Sequence, residues 1–517
     1  MSEDKASYFS SAKDNSRIDY FLPIILLVLA GTFILLTENH NAAFTPGGLY
    51  SGVSVHGMTL SKNLMHNDQH LFMYTSRELH NGKIAYDAYN RFPVLPFILT
   101  GILSYPFESN PVLQIYVARQ SMNIFFLLSI IVVFKIVDNL VKNKYLSVSV
   151  TLISFSSFYM LSYNDMVFND IPALFGFVLA LYSIVLVQNK KLSKPKIFFF
   201  SIFPICLGWQ PYAVFITWFL IEALEMFAEK KTNVSNKIRN IIHNPSFIIS
   251  GLALIWGITL LGLQLLNEWR IVGGSFMNIP SLNSALWRSG LIPAAGHTQY
   301  QQVFDWIPFL SGVTHSITLA LIPFFPVFQV EPGYTASVFL VVSLLIYVII
   351  KYSKDKNSFN KIIVIMILSG LFWAIPMRRF VALHEFQSIF FVGFTISVYI
   401  LLLSSFKPNL QKFLAIDIVI LFLLTVLLSN YYKTPDLAMN RMIPQFRTIC
   451  NQLPANSKIY FDGDRQHAIQ YSRFAIDFFL IDHVFTQEKD ADYVISKNPD
   501  YHGVKLTTNP EYNLYKY

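Results

Sequence analysis

Charge is scarce in this chain: 14% of its 517 residues are Asp, Glu, Lys or Arg, well under the roughly 25% usual for soluble domains. Cysteine is almost absent. Cys206 and Cys450 are too few for a disulfide framework and lack the spacing of a zinc site. A glycine-rich phosphate loop is also missing, so no nucleotide site is expected. Apolar side chains fill the space instead, at 53% of the chain with 47 Phe. A cytosolic enzyme, a disordered chain and a disulfide scaffold are excluded, which leaves a polytopic membrane protein.

A helix needs about 20 apolar residues to cross the hydrocarbon core. The first run, 20–37, ends in Thr37-Glu38-Asn39-His40, which is no small-residue cleavage site, so it reads as an uncleaved helix. Further runs lie near 114–137, 145–163, 171–188, 196–208, 212–228, 246–266, 307–328, 335–351, 361–376, 386–404 and 412–429. The run 196–208 is short and is expected to continue across Gly208. Basic clusters orient the spans: Lys142 and Lys144, Lys190 to Lys196, Lys230 to Arg239, Lys351 to Lys361, and Lys407 with Lys412. With these and the N-terminus on the cytoplasmic side, segments 38–113, 164–170, 267–306 and 377–385 lie outside. A re-entrant segment at 307–328, broken by Pro308, Pro323 and Pro326, gives eleven spans and an outside C-terminus; twelve is the second choice. Most of the formal charge of +8 is thus topological, and nucleic-acid binding falls away.

The division is therefore a transmembrane domain over 1–429 and a small extracytoplasmic α/β domain over 430–517. In the first outer loop, 38–113, residues 69–81 read as a short helix ending at Gly82. Phe92-Pro93-Val94-Leu95-Pro96 opens an interfacial helix reaching Tyr105. The tail reads as a helix near 436–453 followed by strands at 458–461, 491–495 and 512–515. No internal repeat is visible, which weighs against an inverted-repeat transporter.

Three polar sets are not explained by membrane burial. His66-Asn67-Asp68-Gln69-His70 places a carboxylate between imidazoles, where Asp68 and His70 could take a proton from a hydroxyl or bind a divalent metal ion; a helix cap is the plainer reading. Asn164-Asp165-Met166-Val167-Phe168-Asn169-Asp170-Ile171-Pro172 puts two carboxylates in one short turn. Capping accounts for one of them, leaving Asp165 and Asp170 as candidates. Arg378 and Arg379, followed by His384 and Glu385, run against the positive-inside bias. They read either as snorkelling residues or as a phosphate clamp. Gln210, in Trp209-Gln210-Pro211, interrupts an apolar stretch and either faces a cavity or marks a packing kink.

The pattern resembles the GT-C superfamily of membrane glycosyltransferases, which includes protein mannosyltransferases and the aminoarabinose transferase of lipid A. The stretches that carry the resemblance are Asp68-Gln69-His70-Leu71, Leu79-His80-Asn81-Gly82, Tyr86-Asp87 and Arg91-Phe92-Pro93. Asn169-Asp170-Ile171-Pro172 and the tail segments Ala491-Asp492-Tyr493-Val494-Ile495 and Leu514-Tyr515 complete it. It implies an all-α polytopic fold with a small C-terminal α/β domain. It also implies a polyprenyl-phosphate-sugar donor, a lipid, glycan or protein acceptor, and a site outside the inner (plasma) membrane. Asp68 would be acceptor base or lie near it, Asp170 the second acid, and Arg378, Arg379 or His384 would hold the lipid phosphate. Any metal ion would sit among Asp68, His70 and Asp170; no other cofactor is expected. Such chemistry needs a base for the acceptor and cations for the leaving phosphate, and direct displacement would invert the anomeric carbon. A transporter or flippase of a lipid-linked or anionic solute is the alternative.

Overall fold

The computed structural model describes residues 17–37, 51–66, 72–228, 244–292, 306–321, 343, 346–347, 350, 352–355, 357–378, 385–432, 437–462, 477–480, 483–507 and 512–516. In chain order these form α1 (Arg17–Thr37), α2 (Ser51–His66), β1 (Tyr74–His80), β2 (Lys83–Ala88), α3 (Leu95–Ser104), α4 (Pro111–Val141), α5 (Lys144–Phe155), α6 (Phe158–Ser162) and α7 (Asp170–Gln188). Next come α8 (Lys194–Leu207), α9 (Pro211–Ala228), α10 (Pro245–Val272), α11 (Pro280–Arg288), α12 (Trp306–Leu321), α13 (Ser358–Ala374), α14 (Val392–Leu403) and α15 (Pro408–Tyr432). The tail holds α16 (Leu437–Cys450), β3 (Lys458–Asp462), β4 (Val484–Phe485), β5 (Tyr493–Ser496), β6 (Val504–Thr507) and β7 (Asn513–Lys516).

Among the described residues, α4, α7, α9, α10 and α15 are long and apolar enough to cross a membrane, and shorter apolar helices pack beside them. Asn-Pro pairs start two of them: Asn110 precedes Pro111 and Asn244 precedes Pro245. The Asn244 side chain accepts the Ser246 N–H at 2.9 Å, and proline at the first helical position loses no hydrogen bond. Helix α7 is the hub, buried along nearly its whole length against α4, α8, α9 and α13. The helix-to-helix layer is thus apolar all round, as a bundle centre in a membrane should be.

Two sequence expectations change. Where a helix was expected over 69–81, residues 74–80 form a strand, because Asn81 (φ 50°) and Gly82 (φ 75°) make the two-residue turn of a β-hairpin that pairs β1 with β2. The run 196–208 does not continue across Gly208: α8 stops at Leu207, and Pro211 opens α9. Gly208 lies against α7, where a Cβ would stand 2.3 Å from that of Ala173. The interfacial segment forms as α3, with Ile102, Leu103 and the following Tyr105 exposed. The helix and strands expected in the tail form as α16, β3, β5 and β7. Of the run 307–328, α12 covers residues up to Leu321; the rest, and most of 335–351, lie outside the described residues.

The hairpin joins the tail in one seven-stranded sheet of order β2-β1-β4-β3-β5-β7-β6. Glu78 of β1 lies opposite Phe485 of β4 in a parallel pair. First loop and tail are therefore one sheet, separated in sequence by nearly the whole bundle.

Helix α2 pins the turn before α7. The Val167 N–H donates to Ser54 Oγ at 3.2 Å, and a Cβ on Gly57 would fall 1.9 Å from Val167 O. Such an approach cannot be relieved by moving a side chain end, since the neighbour is backbone. Gly57→Ala should therefore destabilise the protein by about 2 kcal/mol or more, read as a lower melting temperature of purified protein in detergent, whereas Gly251→Ala, in open space on α10, should leave it unchanged.

Candidate functional site

The turn 164–170 carries both acids singled out in the sequence, and their surroundings differ. Asp165 is fully buried and paired with Arg119 of α4, which donates from Nε at 3.1 Å and also from Nη2. Asn164 Nδ2 donates to Asn123 Oδ1 of the same helix at 2.8 Å. These bonds dock the turn on α4 by matching each buried polar group with a partner. Asp170, at the first turn of α7, is equally buried. Its Oδ1 accepts from Gln387 Nε2 at 2.9 Å, and Gln387 Oε1 accepts from Trp373 Nε1 at 3.0 Å. Asp170 Oδ2, both amide atoms of Asn169 and Oε1 of Gln210 are buried with no hydrogen-bond partner among the described residues. Unpartnered buried groups are expensive, so their concentration marks a place where stability yields to chemistry.

A cavity of about 300 Å³ lies between α9 and α10, and Arg288 in its wall is near enough to attract the Asp170 carboxylate. Its apolar wall includes Tyr212, Ile216, Ile258, Leu261 and Trp373, of which Ile216, Ile258 and Leu261 are exposed on the bundle surface. Part of the cavity wall is therefore continuous with the apolar outer surface of the bundle. Its polar end holds Asn90, Arg91 and Arg288. The Arg91 guanidinium lies 4.3 Å from the Tyr89 ring centre, and that of Arg288 lies 5.1 Å from the Phe92 ring centre. Burial pulls the Arg288 pKa below its ordinary value, while Tyr89 and Asp170 act the other way and the neighbouring Arg91 adds to the depression. A guanidinium stays charged through such a shift. Trp209, beside Gln210, donates Nε1–H to the Arg91 carbonyl at 2.9 Å.

Arg91 also lines a second, polar cavity of about 240 Å³, together with His56, Thr75, Asp87, Tyr89 and Asp477. Thr75 Oγ1 donates to Asp87 Oδ2 at 2.8 Å across the hairpin, and the His56 ring meets Tyr89 edge-on at 4.1 Å. Arg91 is thus shared by an apolar cavity and a polar one.

The other sequence candidates fall as follows. Asp68, His70, Arg379 and His384 lie outside the described residues. Glu385 opens the 3₁₀ turn Glu385–Phe391, and its side chain is outside the description. Arg378 Nη2 donates to the Gly290 carbonyl at 3.3 Å, just past the end of α11 that carries Arg288. A cation there complements the helix C-terminus. Among the described residues no group of three His, Cys, Asp or Glu side chains could hold a metal ion; of the three suggested ligands, Asp170 alone is described. Arg288, Arg91 and Gln387 were missed as site residues. Arg288 carried the signal that singled out Arg378, a basic residue in an outer loop.

Residues 100–222 match the family model for dolichyl-phosphate-mannose-protein mannosyltransferase, a segment that contains Asp165, Asp170 and Gln210. No curated protein sequence matches the chain. The structure is similar to that of the Archaeoglobus fulgidus oligosaccharyltransferase in its apo form, with TM-score 0.51 and 12% identity over 93% of this chain and 70% of that one. It is similar, at TM-score 0.49 and 12% identity over the same shares, to the same organism's AglB in complex with an inhibitory peptide and a dolichol-phosphate. ArnT from Cupriavidus metallidurans bound to undecaprenyl phosphate gives TM-score 0.44 and 10% identity over 95% of this chain and 97% of that one. The chain thus shares its fold with a solved membrane oligosaccharyltransferase, and residues 100–222 carry the match to the mannosyltransferase family model.

The Arg119–Asp165 pair offers a direct check on what holds the turn. Removing one partner leaves a buried unpaired charge, at a cost of about 3–5 kcal/mol. Arg119→Ala and Asp165→Ala should each lower the melting temperature sharply, and Arg119→Met with Asp165→Leu should recover most of it. A pair of single variants as stable as the parent would show that the bridge does not anchor the turn.

Proposed function

We propose that the chain transfers a sugar from a polyprenyl phosphate to an acceptor hydroxyl on the extracytoplasmic face of the inner (plasma) membrane, with the N-terminus in the cytoplasm. The observation that carries this reading is the apolar cavity at the bundle surface with Arg91 and Arg288 in its wall, Arg288 being within electrostatic reach of Asp170. The polyprenyl chain enters between α9 and α10 and never has to leave hydrocarbon. The two guanidinia take the phosphate and stabilise the charge that grows on it as the bond to the anomeric carbon breaks. Arg378, at the end of α11, adds positive charge to the same rim; Arg379 and His384 follow it in sequence.

The acceptor reaches the reacting carbon from the polar cavity, across Arg91. Its hydroxyl oxygen bonds to the anomeric carbon as the phosphate oxygen leaves, and its proton passes to a carboxylate. Asp68 is the proposed base and Asp170 the second acid, held by Gln387. Displacement in one step inverts the anomeric centre. Asp165 serves the same reaction by holding the turn that presents Asp170. If a divalent metal ion takes part, Asp170 is the described residue with a carboxylate oxygen to offer it, and the ion would supply charge to the leaving phosphate.

The test is transfer from a radiolabelled polyprenyl-phosphate sugar in membranes containing the protein. Arg288→Ala and Asp170→Asn should each lower turnover by about 10²–10³-fold, with expression and melting temperature close to the parent. Transfer at the parental rate by both variants would place the reaction elsewhere.

A further inference from the structure

Arg91 and Arg288 come from unrelated segments, one leaving the hairpin and one ending a nine-residue helix, α11. Neither segment by itself has a reason to hold its guanidinium at a set distance from the other. Both are tied to the same part of α10. Glu268, fully buried, accepts the Ser281 N–H at 2.9 Å through Oε1. Ser281 is in the first turn of α11, whose own preceding residue, Ile279, provides no side-chain cap. A carboxylate borrowed from α10 therefore satisfies the start of the helix that carries Arg288, with the charge sign the helix N-terminus favours.

One turn earlier, Gln264 donates Nε2–H to the Phe92 carbonyl at 2.7 Å, and its main-chain carbonyl accepts from Asn90 Nδ2 at 3.0 Å. The residues on either side of Arg91 are thus both bound to Gln264. Gln264 and Glu268 are four apart and share a face of α10. Arg91 and Glu268 are near enough to attract each other. None of this takes part in the transfer step, and an apolar span has no other use for a buried glutamate.

We infer that Gln264 and Glu268 are positioning residues that set the separation of the Arg91 and Arg288 guanidinia, and with it the grip on the donor phosphate. The inference rests on the reading of those two arginines as the donor-phosphate site. Its consequence is specific: Glu268 acts through Arg288, and Gln264 through Arg91.

Binding of undecaprenyl phosphate to the purified full chain in nanodiscs separates the possibilities, because it requires neither the sugar nor the acceptor. Glu268→Ala should weaken binding by about tenfold, the scale of a lost hydrogen bond to a charged group. Glu268→Gln, which still offers an oxygen to the Ser281 N–H, should stay within about twofold of the parent. In an Arg288→Ala background, Glu268→Ala should add almost nothing, and Gln264→Ala should behave likewise in an Arg91→Ala background. Parental binding by Glu268→Ala, where Arg288→Ala has lost it, overturns the inference alone. So do losses that add in full, as a general weakening of the fold would produce. Parental binding by Arg91→Ala and Arg288→Ala overturns the donor-site reading and the inference with it.

Discussion

Inside an apolar bundle an unmatched charge or hydrogen-bonding group costs several kcal/mol. The architecture around Asp170 follows from that constraint. Arg119 is matched by Asp165, Gln387 spans Asp170 and Trp373, Glu268 meets Ser281, and Gln264 engages both sides of Arg91. Each of these is a buried polar group on or beside an apolar helix, and each joins that helix to a loop. Pairing enforced by the low dielectric is thus also what assembles the site. Loops that would wander in water are held to the helices by bonds too expensive to break.

Close backbone approach does the rest. Gly57 lets α2 touch the turn before α7, and Gly208 lets the Trp209-Gln210-Pro211 break lie on the first turn of α7. On α10, Gly257 leaves room for the Tyr212 hydroxyl, since a Cβ there would stand 1.5 Å from it. Small residues at such crossings are how helices pack tightly where no hydrophobic force separates helix from lipid. Tyr212 lines the apolar cavity, so the packing of α9 on α10 also shapes the chamber between them.

Much of the bundle was legible in the sequence because apolar runs of span length have few alternatives in a membrane. Asp170 drew notice for a different reason: two carboxylates in a seven-residue turn exceed what capping needs. The hairpin was misread because Gly82 was taken as the end of a helix, although Asn81-Gly82 is equally a strong hairpin-turn signal. The arginines at the cavity were harder. Arg91 was noticed as part of a resemblance and not as a charge, and Arg288 sits in a loop whose few basic residues had been counted as background. No local pattern links them. Their meeting depends on Gln264 and Glu268, more than 170 residues along the chain from Arg91, and a contact of that range leaves no periodic trace. Gln387 was equally hidden, because a glutamine after a basic stretch carries no charge signal of its own.

The sheet shows why the tail bears on the chemistry. A two-stranded hairpin alone is marginal in water, yet β1 and β2 carry Thr75 and Asp87 of the polar cavity and lead directly into Arg91. Pairing β1 with β4 gives the hairpin the support of five further strands, and Asp477, seven residues before β4, reaches the wall of the same cavity. The tail therefore stiffens the segment that ends in Arg91 from one side, while Gln264 holds it from the other. Arg91 lines an apolar and a polar cavity at once, so the chain on either side of it is under two demands. Two anchors, one in the membrane helices and one in the sheet, bear on that short stretch from opposite directions.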